Sequence, residues 1–156
     1  MKVVDFLSPD AIIPALAGVS KAAVLIEMAA FLAARKSEDD AVDAEALCRT
    51  LEEREQLAST GIGDGIAIPH GKLETIDHLI GVLGRSPDGV DFDSIDGKKT
   101  HIVFLLVAPA NSASDHLQAL ARLSRLFRDT ALRQRLLEAA DGATMYRIIA
   151  EEDAKH

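Results

Sequence analysis

The run Ile102-Val-Phe-Leu-Leu-Val107 constrains this chain more than any other stretch, because it is apolar without alternation. A strand with one wet face alternates apolar and polar residues at a period of two, whereas one buried on both faces reads as an unbroken apolar run. The run therefore predicts a central strand with helices packed over both of its faces. Around it, short apolar segments punctuated by Gly, Asp and Pro (Gly65 to Ile68, His78 to Leu83, Val90 to Phe92) read as further strands, with a hairpin across Asp96-Gly97. Helical spacing covers Ser20 to Arg35, with Ser20 as N-cap and Leu25, Met28 and Leu32 on the inner stripe, and then Asp43 to Ala58. The polar segment Lys36 to Asp43 reads as a loop between them. After the strands, a helix is expected from Ser114 to Arg128, opened by a capping box at Ser112-x-x-Asp115, followed by shorter ones over Leu132 to Ala139 and Thr144 to Glu152. The fold class that results is α/β, a mixed β-sheet sandwiched between helices in a single domain over residues 1–156.

Charge and composition remove several functions. With 17 Lys+Arg against 25 Asp+Glu the formal net charge is −8, which repels nucleic-acid backbones, and no dense basic stripe offsets it. The longest apolar stretch, Ala22 to Ala34, carries Glu27 and is shorter than the roughly 18–20 residues that span a bilayer. The opening MKVVDFLSPD lacks the apolar core of a secretory signal, so the expected location is cytoplasmic. Cys48 is the only cysteine, which leaves no intrachain disulfide and no cysteine-rich metal framework.

Glycines 61, 63, 65 and 71 invite a test for phosphate cradles. Between Gly65 and Gly71-Lys72 lie five residues where a Walker loop has four, Leu73 stands in place of the magnesium-binding Ser or Thr, and Ile66 occupies the last glycine of a dinucleotide fingerprint. The acidic stretch Asp91 to Gly97 resembles a calcium loop, but Ile102 falls where a bidentate Glu would be needed. No nucleophile elbow, HExxH or CxxC occurs.

What survives is Pro69-His70-Gly71, a histidine at the edge of an apolar strand between a rigid and a permissive residue. Neutral imidazole is a good nucleophile near pH 7. His116 aligns with Leu120, Leu123 and Phe127 at i+4, i+7 and i+11, so it faces inward beside the partially positive start of its helix. Arg54 follows Leu47 and Leu51 at helical spacing and also points inward, where an arginine needs an anion. One nucleophile and two charge-neutralising groups make a phosphoryl site. His78 and His101 begin apolar strands without partners at metal-ligand spacing and read as structural or solvated; His156 is terminal. Neither a metal nor an organic cofactor is called for.

The segment LEEREQLASTGIGDGIAIPHGK, Leu51 to Lys72, closely resembles the active-site region of the mannitol/fructose/nitrogen-type enzyme IIA family of the bacterial phosphoenolpyruvate-dependent phosphotransferase system. The likeness continues through VDFDSIDGKKTHIVFLLVAPANSASDHLQALARLSRLF, and the STGIG…GIAIPHG wording is most similar to the nitrogen-regulatory branch. The resemblance implies that His70 accepts a phosphoryl group on Nε2 from the phosphohistidine of an HPr-type carrier, and that Arg54 and His116 support that group. It implies a regulator whose phosphorylation state governs protein partners such as a transporter or sensor kinase. The alternatives are a sugar-specific IIA that passes phosphate to a IIB permease domain, and a binding module that is never phosphorylated. Asp64 departs from the Asn that some members carry between the glycines. A docking carrier needs an exposed apolar rim, for which Ile62, Ile66 and Leu73 are the sequence candidates.

Overall fold

The computed structural model describes residues 1–35 and 42–156; most of the expected loop Lys36 to Asp43 lies outside these. Among the described residues the elements run as a 3-10 turn Val3–Asp5, β1 (Ile12–Ile13), α1 (Lys21–Ala34), α2 (Ala44–Leu57), β2 (Gly61–Gly63), β3 (Ile66–Ala67), β4 (His70–Leu73), β5 (Ile80–Val90), β6 (Thr100–Pro109), α3 (Ala113–Leu126), α4 (Thr130–Glu138) and α5 (Gly142–Ala154). Strand order in the sheet is β1-β5-β6-β3-β2, and β4 also pairs with β6 beyond the end of β3. The sheet is mixed: β1 lies parallel to β5, β5 antiparallel to β6, and both β3 and β4 parallel to β6.

β6 is the central strand that its sequence demands. Ile102, Phe104 and Leu106 point into one apolar cluster with α3, α4 and α5, while Val103, Leu105 and Val107 point into the other with α1 and α2. All six are at most 1% exposed. Successive side chains of a strand face opposite ways, so an all-apolar run is the pattern that satisfies two helical layers at once.

Helix boundaries fall within two residues of expectation, and the Ser20 hydroxyl caps α1 by accepting from the Ala23 amide at 3.1 Å. Ser112 does occupy the N-cap of α3, but its hydroxyl makes no capping bond, so the capping-box reading fails there. The hairpin between β5 and β6 is also looser than a tight Asp96-Gly97 turn: residues 91–99 connect the strands, and Val90 closes β5 where a separate Val90 to Phe92 strand was expected. Asp96 has another task, accepting the Asp64 amide at 2.9 Å and so tying the β2–β3 turn to this connection.

One edge of β6 positions the site. β3 and β4 are two pieces of one interrupted strand along that edge, Ile66 and Ala67 pairing with Ile102 and Val103, then His70 to Leu73 pairing with Leu106 to Pro109, and β2 covers the outer side of β3. On β4, Gly71 lies on the α2 side, where a Cβ would stand 2.7 Å from the Thr50 γ-methyl. Helix α2 can approach the strand because residue 71 has no side chain. Gly71→Ala is expected to cost about 1–3 kcal/mol through overpacking of a β-branched neighbour; denaturant unfolding with an unchanged m-value checks this.

Candidate active site

His70 opens β4 and is half-buried. Its Nδ1 lies 2.6 Å from the Ile68 carbonyl oxygen. A carbonyl can only accept, so Nδ1 carries the hydrogen and Nε2 of the neutral ring keeps its lone pair. Burial lowers the imidazole pKa below its usual value, the Ile68 bond works against that, the Arg54 charge lowers it further and the Glu55 charge raises it. The net shift is downward, so near neutral pH the ring is uncharged with Nε2 as its nucleophilic atom.

The structure brings the three sequence candidates together. His116, near the start of α3, packs edge-on against His70 with ring centroids 5.3 Å apart and planes at 78°. It is 8% exposed, as its inward phase required, and its Nε2 has no hydrogen-bond partner among the described residues. A buried polar atom left unpaired costs free energy in the resting protein, and such an atom beside a nucleophile is placed to meet an incoming group. Burial, the His70 ring and the Lys72 charge together lower the His116 pKa to about 4. Arg54, in the last turn of α2, is half-buried; it donates from Nη1 to the Ala58 carbonyl at 2.8 Å while its charge acts on His70.

Two further residues were missed. Lys72 lies two positions beyond His70 on β4 and its charge reaches His116; the period of two would have revealed it had residues 70–73 been recognised as a strand. Glu55 follows Arg54 directly and acts on His70 through its charge. The carrier rim needs correction. Ile62 is 48% exposed, but Ile66 at 1% and Leu73 at 8% are core residues, turned inward by the strand pleat. Exposed apolar side chains near the trio are instead Leu57, at the end of the helix that carries Arg54, and Leu117, next to His116.

The other histidines are elsewhere. His101 donates from Nδ1 to the Ser86 carbonyl at 3.0 Å, and His78 contacts Asp77 at 2.7 Å. Asp64 sits in the β2–β3 turn with φ +57°, a left-handed conformation that short polar side chains tolerate. Among the described residues no group of three His, Cys, Asp or Glu could hold a metal ion, and no helix is long and apolar enough to cross a membrane.

The depressed pKa of His116 gives a stability signature. Between the unfolded value near 6.5 and about 4, the unfolded chain binds a proton that the folded chain refuses, so stability falls as pH drops through that window. Relative to His116→Gln, the wild type is expected to lose stability more steeply from pH 6.5 to 4, by up to about 1.4 kcal/mol per pH unit. Unfolding free energies of the two proteins across this range check the sign.

Comparison with known proteins gives a consistent picture. Residues 5–152 match the family described as "Phosphoenolpyruvate-dependent sugar phosphotransferase system, EIIA 2". A nitrogen regulatory protein of Bradyrhizobium diazoefficiens is 39% identical over 150 residues, covering 96% of this chain and 95% of that one. The fructose-specific EIIABC component of Bacillus subtilis is 41% identical over 111 residues, 71% of this chain but only 18% of that longer protein. The crystal structure of the nitrogen regulatory protein IIA-Ntr from Neisseria meningitidis superposes with a TM-score of 0.86 at 27% identity, covering 94% of this chain and 98% of that one. The mannitol IIA of Escherichia coli shares the fold, with a TM-score of 0.70 at 20% identity over 91% of this chain and 97% of that one.

Proposed function

This chain belongs to the EIIA type 2 family of the phosphoenolpyruvate-dependent phosphotransferase system, and from that premise we propose that it is a nitrogen-type IIA protein that accepts a phosphoryl group on Nε2 of His70. The donor is the phosphohistidine of a small HPr-type carrier. The Nε2 lone pair forms the new N–P bond as the carrier's N–P bond breaks in line, and the departing electron pair stays on the carrier's imidazole. The observation that carries this reading is the tautomer: the Nδ1–H bond to Ile68 leaves Nε2 unprotonated and directed away from the backbone.

The rest of the site neutralises charge. The phosphoryl group brings negative charge to a neutral pair of imidazoles, and the unpaired His116 Nε2 can donate to a phosphoryl oxygen once that tautomer is selected. Arg54 supplies a guanidinium and Lys72 a second cation. Turnover needs partner proteins, and the phosphorylated and unphosphorylated surfaces present different charge to downstream proteins, a transporter or a sensor kinase. The reading places the protein in the cytoplasm, where phosphoenolpyruvate and the carrier are found. A nitrogen-regulatory role is preferred over a sugar-specific one because the nitrogen regulatory relative of Bradyrhizobium diazoefficiens aligns with 96% of this chain, whereas the fructose-specific relative of Bacillus subtilis aligns with 71% of it.

Incubation with phosphoenolpyruvate, enzyme I and an HPr-type carrier is expected to add one acid-labile phosphoryl group to the wild type and none to His70→Ala, read by intact-protein mass. A wild type that gains no mass beside active carriers removes the acceptor reading and leaves a binding module. His116→Ala and Arg54→Lys are expected to slow the transfer roughly ten- to a hundredfold without abolishing it. Loss in His116→Ala as complete as in His70→Ala assigns the phosphate to His116 instead.

A further inference from the structure

Two charged residues stand at the unfavourable ends of their helices. Lys21 is the first residue of α1, where a cation opposes the positive end of the macrodipole, and Glu55 lies in the last turn of α2, where an anion opposes the negative end. They meet there as an ion pair, Lys21 Nζ to Glu55 Oε2 at 2.8 Å, with side chains 20% and 7% exposed. Lys21 is further held over the Phe92 ring, 5.7 Å from its centroid, and contacts Asp93 at 3.3 Å. Residues that break a local rule in both helices and meet as a largely buried ion pair point to a task beyond helix stability.

The task is visible in what Glu55 holds. Its carboxylate accepts the Thr60 amide at 3.2 Å from both oxygens and also the Thr60 hydroxyl. The Thr60 carbonyl accepts the Ile68 amide at 3.0 Å, and the Ile68 carbonyl accepts the His70 Nδ1 hydrogen at 2.6 Å. A continuous path of bonds therefore runs from Lys21 through Glu55, Thr60 and Ile68 to the imidazole.

We propose that Lys21 and Glu55 are a positioning pair for His70: they fix the Ile68 carbonyl against Nδ1 and set the negative field that keeps the Nδ1 hydrogen on the ring after the phosphoryl group has been accepted. This rests on His70 being the acceptor. Formation of the Nε2–P bond gives a ring substituted at both nitrogens, which is cationic as long as Nδ1 keeps its hydrogen. Such a ring departs as neutral imidazole when the phosphoryl group moves on, whereas a ring that has lost the Nδ1 proton must depart as imidazolate, a far poorer leaving group. Glu55, tempered by Lys21, thus holds the phosphoryl group in a transferable form. The charged and titratable groups facing His70 are Arg54 and Glu55 from α2 and His116 from α3, with Lys72 of β4 reaching His116. Of these, Glu55 is the anion.

The test is a titration of the His70 imidazole by NMR in the wild type, Glu55→Gln, Lys21→Met and the double variant. Gln retains an acceptor for the Thr60 amide while losing the charge, and Met retains the stem of Lys21. The His70 pKa is expected to move down in Glu55→Gln and up in Lys21→Met, while the double variant matches Glu55→Gln because Lys21 acts through Glu55. In phosphorylated protein, the pH above which the phosphoryl group becomes slow to hydrolyse is expected to shift in the same directions. Unchanged His70 titration in both single variants, with only melting temperature affected, overturns the proposal and leaves a structural ion pair. Failure of the wild type to accept phosphate overturns the acceptor reading instead, since the titrations of unphosphorylated protein are read separately.

Discussion

Everything in this structure hangs on β6. It bonds to β5 along one edge and to the interrupted β3 and β4 along the other, and it supplies apolar side chains to both helical layers. An all-apolar strand has no polar face to fix its register, so shape must do so. Phe104 sets it: the ring meets Phe6 edge-on at 6.1 Å and Phe127 at 6.3 Å, and it reaches over Gly81 of β5, where a Cβ would stand 2.7 Å from the ring. Once Phe104 is seated, Leu106 is fixed opposite His70.

The edge position of β4 explains why both helical layers reach the same imidazole. His116 comes from α3 on one side of the sheet, and Arg54 and Glu55 from α2 on the other. A residue in the sheet centre would be sealed under one layer. Burial by both layers keeps both imidazoles neutral, and the cations around them are not matched by an equal number of anions. In a chain of net charge −8 the sign of the local charge is reversed here, a setting that favours an anion over a cation.

Much of this was legible in the sequence, for identifiable reasons. The Ile102 to Val107 run fixed a doubly covered strand, and helical phase brought Arg54 and His116 inward because both follow leucines at regular spacing. What was hidden depended on tertiary contacts. β4 was illegible because His-Gly-Lys-Leu has little strand propensity and is recruited by β6 alone. Without β4, neither the exposure of Lys72 nor the burial of Leu73 could be inferred. Glu55 reads from the sequence as one more acid on a solvated helix face; its burial against Lys21 depends on how α1 and α2 cross.

Pro69 links the sheet to the chemistry. Between β3 and β4 the strand beside β6 is interrupted at Ile68 and Pro69, and Pro69 has no N–H to offer the ladder. Its own carbonyl still bonds to the Leu106 amide at 3.0 Å, so the edge stays attached across the break. The Ile68 carbonyl is the acceptor released by the irregularity, and it turns to the imidazole two residues on. Had the strand continued regularly through residue 68, that carbonyl would have been committed to backbone pairing and the His70 ring would have lacked the acceptor that fixes its tautomer. The interruption costs the sheet little, because Thr60 satisfies the Ile68 amide from β2's side. The Thr60 amide, which would face the Ile68 carbonyl in a regular pairing, bonds to Glu55 instead, and the carbonyl left over gives the His70 ring its acceptor and leaves Nε2 as its one unprotonated nitrogen.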